Sequence, residues 1–97
     1  MTCPSKEQII QLSLILQEVA QEQRLHIICM LYSVKELCVC DIYEKLEIKQ
    51  NLASHHLWVL KNLDLLHTRR EGNKIYYSLN HRVFSLFQHQ LGSVFNV

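Results

Sequence analysis

Two glycines and one proline in 97 residues leave little material for turns, which excludes collagen-like, low-complexity and loop-dominated architectures. No apolar run approaches the roughly 20 residues that span a bilayer; the most apolar stretch, Leu25 to Tyr32, is far shorter. Met1 to Glu7 lacks the apolar core of a signal peptide, so a cytosolic protein with no membrane partner is expected. Four cysteines in a reducing compartment read as thiols or metal ligands, not as a disulfide framework. A phosphate-binding glycine loop, a Ser/His/Asp set and a carboxylate pair are all missing. The Cys-x-Cys pair has no partner base, so neither an enzyme nor a small-molecule substrate is expected.

What is present is a compact, mainly helical composition. Apolar residues make up 48% of the chain, and the length allows one domain, residues 1–97. A domain this small buries a modest share of its surface, and association commonly supplements its stability. The net charge of +1 conceals a split. Residues 1–48 carry four basic and seven acidic side chains, whereas residues 49–97 carry six basic and two acidic ones. Five of the six histidines also lie in the second half. One basic half beside an acidic half suits a domain that presents one face to phosphates.

Ser5 is placed to cap a first helix running to about Glu18, after a flexible arm of residues 1–5. Its apolar positions (Ile9, Ile10, Leu12, Leu14, Ile15, Leu16, Val19) form a stripe wide enough for burial on two sides. A second helix spans about Gln21 to Ser33, with Leu25, Ile28, Leu31 and Tyr32 at core spacing. Glu36 to Leu46 reads as a short third helix with Leu37, Ile42 and Leu46 inward. Glu47-Ile48-Lys49 turns into a fourth, Gln50 to Leu63. There Leu52, Ala53, His56, Leu57 and Leu60 face inward and Gln50, Asn51, Ser54, His55, Trp58 and Lys61 outward. Two short helices around a tight turn, residues 36–63, have helix-turn-helix geometry with the second helix as reader. The period then changes to that of a β-hairpin, residues 65–79, around Glu71-Gly72-Asn73. Arg69, Arg70 and Lys74 gather near its tip, where a wing meets a phosphate backbone. Asn80 caps a last helix, residues 81–95, with Val83, Phe84, Phe87, Leu91 and Val94 apolar. The fold expected is therefore mainly α with a small β-hairpin: a winged helix-turn-helix of five helices and a two-stranded wing. The first and last helices carry more apolar surface than a monomer covers, so they are expected to pair in a homodimer. Such a dimer sets two reading helices about 34 Å apart and implies near-palindromic double-stranded DNA.

Four segments now carry a family likeness. Ala20-Gln21-Glu22-Gln23-Arg24-Leu25, Glu36-Leu37-Cys38-Val39-Cys40-Asp41, Ser54-His55-His56-Leu57-x-x-Leu60 and Arg69-Arg70-Glu71-Gly72-Asn73-Lys74-x-Tyr76-Tyr77-x-Leu79 follow one another at the expected places. Together they resemble the ArsR/SmtB (arsenic-repressor) family over about residues 19 to 80. The second segment matches that family's metal box at every position. Five positions depart from the pattern: Gln21 and Glu22 replace the cap and proline at the entry to the second helix, Lys49 a Ser or Thr cap, Trp58 a polar residue and Asp64 the glycine that usually ends the reading helix. The resemblance implies a transcriptional repressor that needs no cofactor to bind DNA and is released by an inducer ion.

The chemistry of the box follows from its sulfurs. Cys38 and Cys40 would diverge on a regular helix but converge at a frayed first turn, where the helix N-terminus favours thiolate. Soft thiolates select As(III), Sb(III), Cd(II) or Pb(II) over Mg(II) or Ca(II). By resemblance, a third ligand is either a cysteine three positions later, where this chain has Tyr43, or one from the partner's N-terminal arm, where it has Cys3. Cys29 reads as a core filler, because the last helix has no cysteine to pair with it. The zinc site that relatives build on the last helix is broken here, with Asn80, His81, Arg82 and Ser93 in its stretch. DNA contacts are expected from Lys49, Gln50, Asn51, Ser54, His55, Lys61, Arg69, Arg70 and Lys74. Two other readings stay open at this level: a repressor that senses thiol oxidation or persulfide or keeps a vestigial box, and a winged helix used for protein contact, with Trp58 in its favour.

Overall fold

The computed structural model describes residues 4–95. Ser5 opens α1 (Lys6–Val19) through a reciprocal capping box: its hydroxyl accepts from the Gln8 amide, and the Gln8 side chain accepts from the Ser5 amide. A tight turn at Ala20 and Gln21 leads into α2 (Glu22–Tyr32), whose N-cap Gln21 makes no side-chain cap bond. A two-residue strand β1 (Leu37–Cys38) precedes α3 (Val39–Leu46), and α4 (Gln50–Asn62) follows. Strands β2 (Leu66–Glu71) and β3 (Lys74–Leu79) form the hairpin, and α5 (His81–Phe95) completes the order.

The turn between α3 and α4 closes without glycine. Glu47 adopts a left-handed conformation (φ 55°) while its N–H bonds the Glu44 carbonyl and that of Ile48 bonds the Tyr43 carbonyl. This pair of bonds satisfies the carbonyls that a helix end leaves open. The end of α4 repeats the device: Asp64 sits at φ 61°, with Asp64 bonded to Lys61 and Leu65 to Leu60. In the hairpin, Gly72 takes the first position of a two-residue turn at φ 64°, the sign that matches the twist of paired strands.

The sheet has three strands in the order β1-β3-β2, all antiparallel, so the expected two-stranded wing gains a short third strand. The helix expected from Glu36 starts only at Val39. Leu37 and Cys38 pair instead with Tyr77 and Tyr76 of β3, which gives their backbone groups partners that a helix start would leave open.

Val19, Ile27, Ile28, Leu31, Ile42, Leu57, Leu60, Leu65, Leu66 and Leu79 pack into one core under the helix-turn-helix and the sheet base. Here α2 is rotated relative to the expected face. Arg24, Ile27, Ile28 and Leu31 are buried, whereas Leu25 and Tyr32 are more than half exposed. Leu52 on α4 is exposed as well, because Ala53 and Leu57 occupy the inward positions beside it. Along α1 and α5, Ile9, Ile10, Leu14, Leu86, Val94 and Phe95 remain exposed. Among the described residues, no helix is long and apolar enough to cross a membrane.

Candidate DNA-reading surface and thiolate site

Helix α4 presents two chemically distinct sides. Ala53, His56, Leu57 and Leu60 are buried, and Lys49, Gln50, Asn51, Ser54, His55, Trp58 and Lys61 are exposed. No acidic residue occurs from Ile48 to Leu63, so nothing on this helix repels a phosphate. Lys49 stands at the N-cap position, where its donor-only ammonium group cannot cap the helix amides and is exposed. The Asn51 side-chain oxygen accepts from the Leu52 amide, and its NH2 group stays free to donate.

The inner side is fixed by a network that sequence reading reached only as an inward His56. The Arg24 Nε–H donates to His56 Nδ1 at 2.9 Å, which assigns the ring proton to Nε2, facing Gln23 Oε1 at 2.8 Å. The same guanidinium donates to the Glu18 backbone oxygen at 2.7 Å and its carboxylate at 3.0 Å. Burial pushes the His56 pKa down, with the neighbouring Arg24 and His55 acting in the same direction. A neutral His56 thus ties the reading helix to the ends of α1 and α2. The signal available beforehand was Arg24 itself, a charged residue one position before the apolar stretch that begins at Leu25.

At the wing, Arg70 and Lys74 are exposed and form no ion pair among the described residues. Arg69 points to the face opposite Arg70, the one it shares with Glu71, Lys74 and Tyr76. It makes a two-pronged contact with Glu36 (2.6 and 3.2 Å), bonds Glu71 at 2.7 Å and lies 4.6 Å over the Tyr76 ring. The Arg69 hydrogen bonds hold the Glu36 carboxyl below its ordinary range. The three basic residues expected to act together are therefore divided: two are free, and one is engaged with the residue just before β1.

The box lies where β1 becomes α3. Cys38 is the extended N-cap residue, its sulfur accepting from the Cys40 amide at 3.2 Å, and Cys40 lies in the first turn. Their Cα atoms are 5.3 Å apart, and the two sulfurs are joined as a disulfide, which corrects the expectation of free thiols at this pair. The expected convergence is thus reached by a strand-to-helix junction, not by fraying. Reduced to thiols, the pair is joined by Asp41, whose carboxylate lies within 4.8 Å of both sulfurs. Two thiolates and a carboxylate fit a thiophilic ion. Asp41 was not among the expected ligands; its place in the six-residue box was the available sign. Tyr43 lines the adjoining cleft of about 330 Å³, which is bounded also by Gln50 and Ser54 of α4 and by Asn73, Lys74 and Ile75 of the wing. Cys3 lies outside the described residues. Cys29 is exposed, which corrects the expectation of a core filler: it sits on the outer face of the rotated α2.

Comparison with known proteins decides the family. Residues 21–68 match the description "Bacterial regulatory protein, arsR family". An arsenical resistance operon repressor of Staphylococcus aureus is 41% identical over 73 residues, 75% of this chain and 69% of the relative. The chain belongs to the ArsR family. A cadmium resistance transcriptional regulatory protein, a CadC homolog of the same species, is 36% identical over 76 residues, covering 78% of this chain and 63% of that protein. The solved structure of HlyU from Vibrio cholerae superposes with a TM-score of 0.74 at 29% identity, covering 96% of this chain and all of that one. This ArsR-family chain is accordingly a DNA-binding transcriptional regulator with a winged helix-turn-helix, in a group of transcriptional regulators and not of enzymes.

Proposed function

We propose that the chain is a homodimeric repressor, resident in the cytoplasm, whose near-palindromic operator is released when a thiophilic ion binds Cys38 and Cys40. The observation that carries this reading is the position of the pair. One cysteine belongs to a strand paired with the wing, the other to the helix that packs on the reader, and one cleft joins all three. The names of the Staphylococcus aureus relatives favour As(III) or Cd(II), and the softness of the thiolates extends the choice to Sb(III) and Pb(II). Asp41 or the partner's Cys3 completes the ligand set. Lys49, Gln50, Asn51, Ser54, His55, Lys61, Arg70 and Lys74 meet the DNA, with Arg69 poised at the wing behind its contact with Glu36. Ile9, Ile10 and Leu14 of α1 and Leu86, Val94 and Phe95 of α5 supply the apolar face of the dimer.

Drawing Cys38 and Cys40 around one ligand changes the backbone at the β1–α3 junction. That junction is shared by the Cys38–Tyr76 pairing and by the Glu36–Arg69 contact, so wing and reader respond together. Release requires only that the ligand prefer the DNA-incompetent arrangement. A hundredfold loss of operator affinity corresponds to about 2.7 kcal/mol of coupling. Anisotropy of labelled DNA from upstream of the chain's own gene, with reduced protein titrated with As(III), Cd(II) and Zn(II), tests the reading. Release by a soft ion is expected, and a C38S/C40S variant should bind DNA but ignore the ion. Ion-driven release that survives in that variant would exclude the assignment.

The disulfide favours a second reading, in which oxidation of the same pair is the signal. Loss of binding under peroxide, restored by a dithiol and indifferent to ions, would select it.

A further inference from the structure

The exposed side of α4 carries one feature that neither the family pattern nor the ion site uses. Trp58, the only tryptophan, is 60% exposed. Its ring stacks on His55, with centroids 6.4 Å apart and planes 19° from parallel. Helical spacing surrounds it with Asn51, Ser54, His55, Lys61 and Asn62, all polar and all exposed. A protein-docking patch requires contiguous apolar surface, commonly a few hundred Å². A lone aromatic ring among amides, hydroxyls and a lysine does not provide it. Trp58 also follows Gln50 by eight residues, about 12 Å along the axis, so it lies two turns beyond the helix start. A reader whose first turn faces base edges therefore brings Trp58 to the groove wall, where the sugar-phosphate backbone runs.

We propose that the stacked His55–Trp58 pair is a DNA-contact platform, with the indole face against deoxyribose and its N–H donating to a phosphate oxygen. The proposal rests on α4 being the reading helix. His55 flanks the indole with its ring roughly parallel, which narrows the side-chain freedom left to lose on binding. The absence of acidic residues along α4 and the nearby Lys61 supply the charge complementarity that commits this surface to nucleic acid.

Two readouts on the intact, reduced protein test this. Anisotropy of fluorescein-labelled upstream DNA reports binding itself, and the emission of the single tryptophan reports contact at position 58. The expected results are an emission change that saturates at the anisotropy midpoint and a roughly tenfold weaker affinity for W58A. W58F should recover part of that loss. The salt slope of W58A should match wild type because no charge is removed, whereas K61A should lower it by about one. Unchanged thermal melting would show that W58A folds. Saturating anisotropy with constant tryptophan emission would overturn the platform, as would wild-type affinity in W58A, which would leave Trp58 to a protein contact. Failure of the wild type to bind DNA at low salt would instead remove the reading role of α4, and the platform with it.

Discussion

The two buried polar residues of the core, Arg24 and His56, are satisfied by each other and by Gln23 and Glu18, so each depends on the rest. Removing Arg24 leaves His56 Nδ1 and the Glu18 carbonyl without their donor. R24A is expected to lower unfolding stability by about 2–3 kcal/mol, read from denaturant midpoints. The His56 pKa is lower in the folded chain than the ordinary value of 6.5. The unfolded state therefore binds more protons just below that value, and folding loses stability as pH falls from about 6.5 toward the folded pKa. Above that window the contribution is fully present. Urea midpoints at pH 7.5 and 5.5 should fall more steeply with acid for wild type than for H56Q; equal slopes would show that His56 takes up its proton alike in the folded and unfolded states.

Among the elements, the helix-turn-helix turn and the β1–β3 pairing carry the consequences. Glu47 holds a left-handed conformation that costs a side chain about 1 kcal/mol and glycine almost nothing. E47G should raise the denaturation midpoint by roughly that amount, reduced by the greater freedom of glycine in the unfolded chain. No change would mean that the strain is relieved elsewhere. The wing makes a contrasting pair of expectations. Arg70 and Lys74 are free, so R70A and K74A should each lower the salt slope of operator binding by about one. Arg69 is already neutralised by Glu36 and Glu71, so R69A should alter that slope much less. An equal slope change for all three would show that DNA displaces Glu36.

At the scale of the molecule, the principal extents of 48 × 22 × 20 Å describe an elongated chain whose α1 and α5 expose large apolar residues. In the proposed dimer, spacing of two reading helices by one turn of DNA depends on pairing of that face with a second copy. L14E and L86E should each shift sedimentation toward a monomer and reduce operator affinity, since one reading head has far fewer phosphate contacts than two. A monomeric wild type that binds the operator as tightly would exclude the dimer.

The sequence by itself determined the order of the five helices and the hairpin, the polar outer side of α4 and the position of the cysteine pair. Those rest on local signals: the capping Ser5, the change of period at Leu65, Gly72 in a two-residue turn and the unbroken box from Glu36 to Asp41. Only the tertiary structure decided which side of α2 faces inward. From Leu25 to Tyr32 nearly every position is apolar, so periodicity selects no face, and the partner that turns Arg24 inward is His56, 32 positions away. The start of α3 had the same character: a two-residue strand has no period, and Leu37 and Cys38 are extended because β3 arrives beside them. Exposure of Cys29, capture of Arg69 by Glu36 and the approach of Asp41 to both sulfurs follow from those placements. Each depends on long-range packing or on a backbone junction whose form a distant strand sets, and local propensity carries no information about either.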